Sequence, residues 1–120
     1  MNTRETGNLG EDRAVRFLEE HGVDIAERNF RNRQGEIDII GWDGEYLVFF
    51  EVKLRKRGGI ESASAAVTYA KQANICRVSD YYRKKNAISP DTGIRYDVIA
   101  IGDDDISWYK NAFDYSGKGY

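Results

Sequence analysis

Residues 36–55 read EIDIIGWDGEYLVFFEVKLR, two strand-like runs joined by an Asp-Gly dipeptide. Asp-Gly between runs of β-branched and aromatic residues is a strong signal for a two-residue hairpin. The second run ends oddly for a buried strand, because in FFEVKLR (49–55) the charged Glu51, Lys53 and Arg55 alternate with Val52 and Leu54. A strand sends residues i and i+2 to the same face. With Asp43 and Gly44 as the central turn residues, Glu36 lies opposite Glu51, Asp38 lies opposite Phe49, and Asp38 is a diagonal neighbour of Glu51. Glu36, Asp38, Glu51 and Lys53 then share one face, and Ile37, Ile39, Tyr46, Val48, Phe50, Val52 and Leu54 form the other. Near the turn the charged face becomes apolar through Ile40, Leu47 and Phe49. The carboxylates therefore gather at the end of a half-buried sheet, away from the turn.

The flanking sequence supplies a layered frame. Residues 8–21 (NLGEDRAVRFLEEH) predict an amphipathic helix, capped near Asn8 and closed by Gly22. DIAERNF (24–30) reads as a first strand, which RNRQG turns into EIDII (36–40). GGIE (58–61) is a flexible joint, and Ser62 to about Lys85 reads as helix through Val67, Ala70, Ile75, Val78 and Tyr82. IRYDVIAIG (94–102) and ISWYK (106–110) are two further strands, and DYSGKGY ends the chain as a loose tail over about 115–120. The order α-β-β-β-α-β-β predicts one α/β domain over 1–120, a mixed central sheet flanked by helices.

A chain of 120 residues suits one core, and 41% hydrophobic with 32% charged residues is ordinary for a globular protein. The lone Cys76 excludes a disulfide framework, and with a single histidine (His21) it cannot build a zinc cluster. No apolar run approaches the ~20 residues of a membrane span, and the polar start MNTRETGNLGED is unlike a signal peptide. The expected setting is a reducing cytoplasm, with no membrane partner.

The net charge of −2 argues against a non-specific coater of nucleic acid. Positive charge is nevertheless concentrated in RNFRNR (28–33), KLRKR (53–57) and RKK (83–85), while EE (19–20) and DDD (103–105) lie elsewhere. The first two clusters flank the carboxylate hairpin as an electropositive rim of Arg28, Arg31, Arg33, Arg55, Lys56 and Arg57 suited to a nucleic-acid backbone. A solvated surface is the competing reading of each cluster alone.

Like charges this close are destabilising unless something positive sits among them. Lys53 supplies one positive charge for Glu36, Asp38 and Glu51, and an all-oxygen site suits Mg²⁺ or Mn²⁺ as the balance. Glu11 joins from the first helix, since Glu11, Ala14, Val15 and Leu18 follow i, i+3, i+4, i+7. It either serves the positive end of the helix dipole in the first turn or points into the cluster as an outer metal ligand. Glu36 is a ligand, a solvated strand start, or a partner of Arg33 or Arg55.

GEID (35–38), a gap of twelve and EVK (51–53) resemble the PD-(D/E)xK signature of restriction-endonuclease-like nucleases. The whole chain resembles the YraN-like family of small bacterial proteins, grouped by fold with Holliday-junction resolvases. GEDRAVRFLEEHG, ERNFRNRQGEIDII, FFEVKLR, RYDVIAI and SWYKNAF all fit, although Ile37 stands where the signature has Pro. The resemblance implies a restriction-endonuclease-like domain that hydrolyses DNA phosphodiester bonds with Mg²⁺ or Mn²⁺, on branched or damaged DNA. Asp38 and Glu51 would then bind the metal with the Val52 backbone carbonyl, Glu11 would join as an outer or second-metal ligand, and Lys53 would orient the attacking water. Lys71 and Gln72, on the helix after this strand, stand where nucleases of this fold often place a polar group towards DNA, and a solvated helix face is the competing reading.

Other residues carry plainer readings. Asp97 pairs with Arg95 or another arginine, Trp108 belongs to the core, and Cys76 is a packed thiol. Ser62 and Ser64 either touch phosphate or cap a helix, and the charged surfaces leave room for a homodimer contact. Two rivals to the nuclease stand: a non-cleaving nucleic-acid-binding module on the same fold, and a structural or partner-binding protein whose carboxylates only form ion pairs.

Overall fold

The computed structural model describes residues 3–54 and 67–116, with side chains from residue 10 onward. The elements run α1 (Thr3–Glu20), β1 (Asp24–Asn32), β2 (Gly35–Asp43), β3 (Tyr46–Leu54), α2 (Tyr69–Lys85), β4 (Ile94–Ile101) and β5 (Ile106–Tyr109), the predicted α-β-β-β-α-β-β order. The strands form one sheet in the order β1-β2-β3-β4-β5. All neighbours are antiparallel except β3 and β4. A parallel pair needs a long crossover, and the segment containing α2 provides it.

Each helix covers one face of the sheet. Ala14 and Leu18 of α1 pack on Ile39, Val48, Phe50, Ile99 and Ile101. Ile75, Cys76, Val78 and Tyr82 of α2 pack on Ile40, Leu47, Phe49, Tyr96 and Val98. The alternation along β3 thus feeds two cores, with Leu47 and Phe49 under α2 and Val48 and Phe50 under α1. Tyr46 and Leu54, expected on the core face, lie at the strand ends and are about half exposed.

The hairpin turn sits one residue later than the Asp-Gly reading places it. Asp43 pairs with Tyr46, so Gly44 and Glu45 are the central pair, and Gly44 has φ of 62°. A positive φ at the first central position is the type II′ requirement, which glycine meets because it has no Cβ. Moving a turn by one residue shifts every cross-strand pair by two. Ile39 therefore pairs with Phe50 instead of Val48, and the next step along sets Asp38, not Glu36, across from Glu51. The charged residues keep their common face and change neighbours. Ile37 leaves the predicted face as well: it belongs to the cluster of Phe30, Ile40 and Phe49 under α2. Beyond Ile39 and Phe50, β2 is paired with β1 alone, and two-stranded ribbons twist more strongly than wide sheets.

Both helices start elsewhere than predicted. Instead of being capped at Asn8, α1 runs back to Thr3, because a helix fixed by its packed face extends at little cost once nucleated. Val67 and Thr68 are not helical, and α2 begins at Tyr69 with the Thr68 hydroxyl accepting the Lys71 amide at 3.2 Å. The joint at 58–61 and the stretch from Ser62 to residue 66 lie outside the described residues. The predicted loose tail starts out docked on α2. There the Tyr115 hydroxyl donates to Asp80 Oδ2 at 2.9 Å and the Ser116 amide to Cys76 Sγ at 3.5 Å.

Candidate functional site

Asp38 and Glu51 meet where the β2–β3 ladder opens. The Val52 amide donates to Asp38 Oδ2 at 2.8 Å, so a side chain takes the place of a backbone carbonyl there. A strand residue turns its N–H and C=O to the same edge, so the Val52 carbonyl faces the same gap. Glu51 is buried, with 4% of its surface exposed. Lys71 Nζ reaches its Oε1 at 2.6 Å from α2, and Lys53 Nζ stands 3.8 Å from the same oxygen. A cavity of about 410 Å³ opens over the pair, walled by Gly35 and Glu36 on one side and by Thr68, Lys71 and Asn74 on the other.

The electrostatics are those of an unbalanced cluster. Burial, then repulsion from Glu51, pushes the Asp38 carboxyl up to about 7, against the pull of the Val52 amide. Burial and the neighbouring Lys71 charge lower Lys53. For Lys71, burial acts downward, but the hydrogen bond and attraction of Glu51 outweigh it and raise the ammonium's pKa. Two lysines therefore share one carboxylate while Asp38 is left with an amide.

Glu11 is buried (7% exposed), in the middle of α1 rather than in its first turn. The helix dipole therefore does not explain it, since that effect fades within the first turn. Burial raises its pKa, Arg28 pulls it down, and Glu36 pushes it up again. With its nitrogen turned to the carboxylates, the Asn29 amide donates to Glu11 Oε1 at 2.9 Å and to Glu36 Oε1 at 3.1 Å. Glu11 is near enough to add to the repulsion on Asp38. Nothing in the sequence pattern singles out Asn29. Its backbone has φ of 53°, a region that Asn tolerates better than most residues, and this lets it turn its amide toward α1.

Of the predicted basic rim, Arg28, Arg31 and Arg33 lie among the described residues. Arg28 pairs with Asp12 of α1 at 2.6 Å, and Arg31 pairs with Glu36, its cross-strand neighbour, at 3.6 Å. Glu36 therefore finds Arg31, not Arg33. Arg33 is exposed in the β1–β2 turn. Gln72 donates its amide to the Val67 carbonyl at 2.9 Å, which fastens the start of α2 rather than offering a polar group outward. Arg55, Lys56, Arg57, Ser62 and Ser64 lie outside the described residues. Asp97 takes the predicted partner, Arg95, at 2.8 Å, and is fully buried.

Among the described residues, no three His, Cys, Asp or Glu side chains are gathered closely enough to hold an ion as they stand. The Asp38–Glu51 pair nonetheless suits Mg²⁺, which is commonly held by one or two carboxylates and completed by water and substrate oxygens. Burial, with repulsion from Glu51, makes an ionised Asp38 costly here, and a cation between the two carboxylates would offset that cost.

Similar proteins carry the same family name and state no activity. A UPF0102 protein of Legionella pneumophila (strain Corby) is 39% identical over 114 residues, covering 93% of this chain and 97% of its own. One from Caldicellulosiruptor saccharolyticus is 40% identical over 119 residues, covering 94% and 100%, and one from Janthinobacterium sp. (strain Marseille) is 38% identical over 108 residues, covering 90% and 86%. The model of the uncharacterised protein family UPF0102 matches residues 10–101, and the chain belongs to this family, the YraN family.

Proposed function

We propose that the protein is a Mg²⁺- or Mn²⁺-dependent nuclease that hydrolyses DNA phosphodiester bonds. The observation that carries this reading is the Asp38–Glu51 pair: two carboxylates side by side over a cavity, one with its pKa pushed up to about 7, beside Lys53 on the same strand. A structural ion pair has no need of a second, half-buried carboxylate held against repulsion. Asp38 and Glu51 would hold the ion, with the Val52 carbonyl facing the same gap. A bound divalent ion supplies neutralisation of charge on the phosphate and a more acidic water. Lys53 orients the attacking water and meets the phosphate oxygens as a compact charge. Lys71, which holds Glu51 Oε1 at 2.6 Å, would compete with the ion for that oxygen and, once freed, could pair with a phosphate. Glu11, held by Asn29, contributes to the negative field from outside the first ligand set.

Cleavage of linear and branched DNA in Mn²⁺ tests the reading, with Lys53→Ala as the control. That variant should fold and lose cleavage, and equal cleavage by it would assign the activity to a contaminant. A second reading, a DNA-binding module that does not cleave, is favoured by one contact, the 2.6 Å bond from Lys71 that occupies a Glu51 oxygen. DNA binding without cleavage in any divalent metal, unchanged by Lys53→Ala, would select it.

A further inference from the structure

Beyond the carboxylate cavity, α2 presents cations that its packing does not use. Its sequence, YAKQANICRVSDYYRKK, carries five cations against one carboxylate. Lys71 belongs to the site, and Arg83 lies 3.8 Å from Asp80. Arg77 donates to Asn74 at 3.0 Å, and Lys85 lies 5.7 Å from the centre of the Phe30 ring. None of Arg33, Arg77, Lys84 and Lys85 forms an ion pair with another described residue. The helix dipole accounts for cations in the last turn, but Arg77 is mid-helix and Arg33 is on another element.

Two rings lie along the same helix. Tyr69 is 78% exposed and Tyr81 47% exposed. Tyr69 stands between Thr68 and Ala70, both of which line the carboxylate cavity. The β1–β2 turn lies against the middle of α2, since a Cβ on Gly35 would meet Asn74 at 3.5 Å and Val78 at 3.6 Å. Farther along, Tyr81 packs its ring beside Phe30 at 6.0 Å. Tyr69 to Tyr81 spans about 18 Å of helix. The result is a run of cations with one exposed aromatic ring next in sequence to two cavity-lining residues and another farther along the helix.

Duplex phosphates would satisfy the cations but leave the rings in water, whereas unpaired bases stack on exposed aromatic side chains. We propose that this side of α2, with the β1–β2 turn, binds a single-stranded DNA flank and leads it to the cavity. The backbone would follow Arg33, Arg77, Lys84 and Lys85, and bases would stack on Tyr69 and Tyr81. The proposal rests on the nuclease reading and names the substrate as DNA with an unpaired strand beside the cleaved bond.

Fluorescence anisotropy in chelator, where cleavage cannot occur, tests it with a labelled single strand, the matching duplex and an RNA of the same sequence. The single DNA strand should bind tightest. Tyr69→Ala and Tyr81→Leu, the second keeping an apolar contact for Phe30, should each weaken it about tenfold or more. Replacing Arg77, Lys84 and Lys85 by Gln should flatten the log–log salt dependence by about 2, at roughly 0.7 per lost phosphate contact. Tighter duplex binding, tighter RNA binding, or wild-type affinity in both tyrosine variants would overturn the proposal. A Mn²⁺-induced rise in wild-type melting temperature reads the carboxylate site separately. If that rise is present while the tyrosine variants are neutral, the track falls and the nuclease reading stands. If it is absent while the tyrosine variants lose affinity, strand binding stands and the nuclease reading falls.

Discussion

Asp38 is the residue whose chemistry and stability pull in opposite directions. Its folded-state pKa, pushed up to about 7, lies above its ordinary value of 3.8. The native state then holds the proton more tightly than the unfolded chain, so this contribution is complete below about pH 4 and is lost as pH rises through 7. The shift corresponds to on the order of 4 kcal/mol across that window. In chelator, urea unfolding between pH 4 and 8 should show wild type losing stability towards the upper end, and Asp38→Asn should flatten that slope. If both proteins have the same pH profile, Asp38 is not the group that carries the strain. Lys71 is the counterpart. Lys71→Ala leaves the buried Glu51 oxygen without its 2.6 Å partner, and the exposed side of Lys71 limits the loss to about 1–2 kcal/mol. On the proposed reading Lys71 and a metal compete for that oxygen, so Mn²⁺ should raise the melting temperature of Lys71→Ala by more than that of wild type. A smaller rise would mean that Lys71 helps to hold the ion.

At the scale of elements, what the sequence made legible follows from how local each signal is. The seven-element order and the shared face of Asp38, Glu51 and Lys53 follow from period-2 and period-3.6 patterns within single segments, and both survive an error of register. The register itself hangs on one turn, where Asp43-Gly44 and Gly44-Glu45 read almost alike until the sign of φ at Gly44 is known. Glu11's company was legible only in part. Helical spacing turned it to the sheet, but the amide that pairs it with Glu36 comes from Asn29 on another element. Two substitutions test the framing elements. Thr68 caps α2 and lines the cavity, so Thr68→Ala should cost about 1 kcal/mol by denaturant titration. A Cβ on Gly41 would stand 2.9 Å from Val23 Cγ1 and 3.0 Å from the Asp24 carbonyl oxygen, and a neighbouring strand's backbone does not yield easily. Gly41→Ala should therefore cost about 1–3 kcal/mol, and a neutral result would place the β1–β2 contact elsewhere.

At the scale of the whole molecule, the protein keeps two kinds of buried carboxylate on opposite faces of one sheet. Glu51 shares the α2 face with Phe49, and Tyr96 and Val98 of β4 lie on that side. Asp97, between them, points to the α1 side. There it accepts from Arg95 at 2.8 Å, from the Trp108 indole at 2.8 Å and from the Asn111 amide at 2.8 Å. Arg95 also reaches Asp43 at 2.9 Å beside the hairpin turn, so one arginine–carboxylate knot ties β4, β5 and the β2–β3 turn together. Every lone pair that matters on Asp97 is met by a donor, whereas Asp38 and Glu51 repel each other. That contrast separates a carboxylate that holds the fold from the pair proposed to hold an ion. Asp97→Asn turns an amide N–H₂ towards a site built from donors, and breaking a buried charge pair of this kind costs about 3–5 kcal/mol. For a chain of this size the melting temperature should fall by roughly 10–20 °C. The added stability from Mn²⁺ should nevertheless match that of wild type, because the ligands proposed for the ion lie across the sheet. If Asp97→Asn instead kept its stability and lost the Mn²⁺ response, the metal centre would have to be moved to the α1 face.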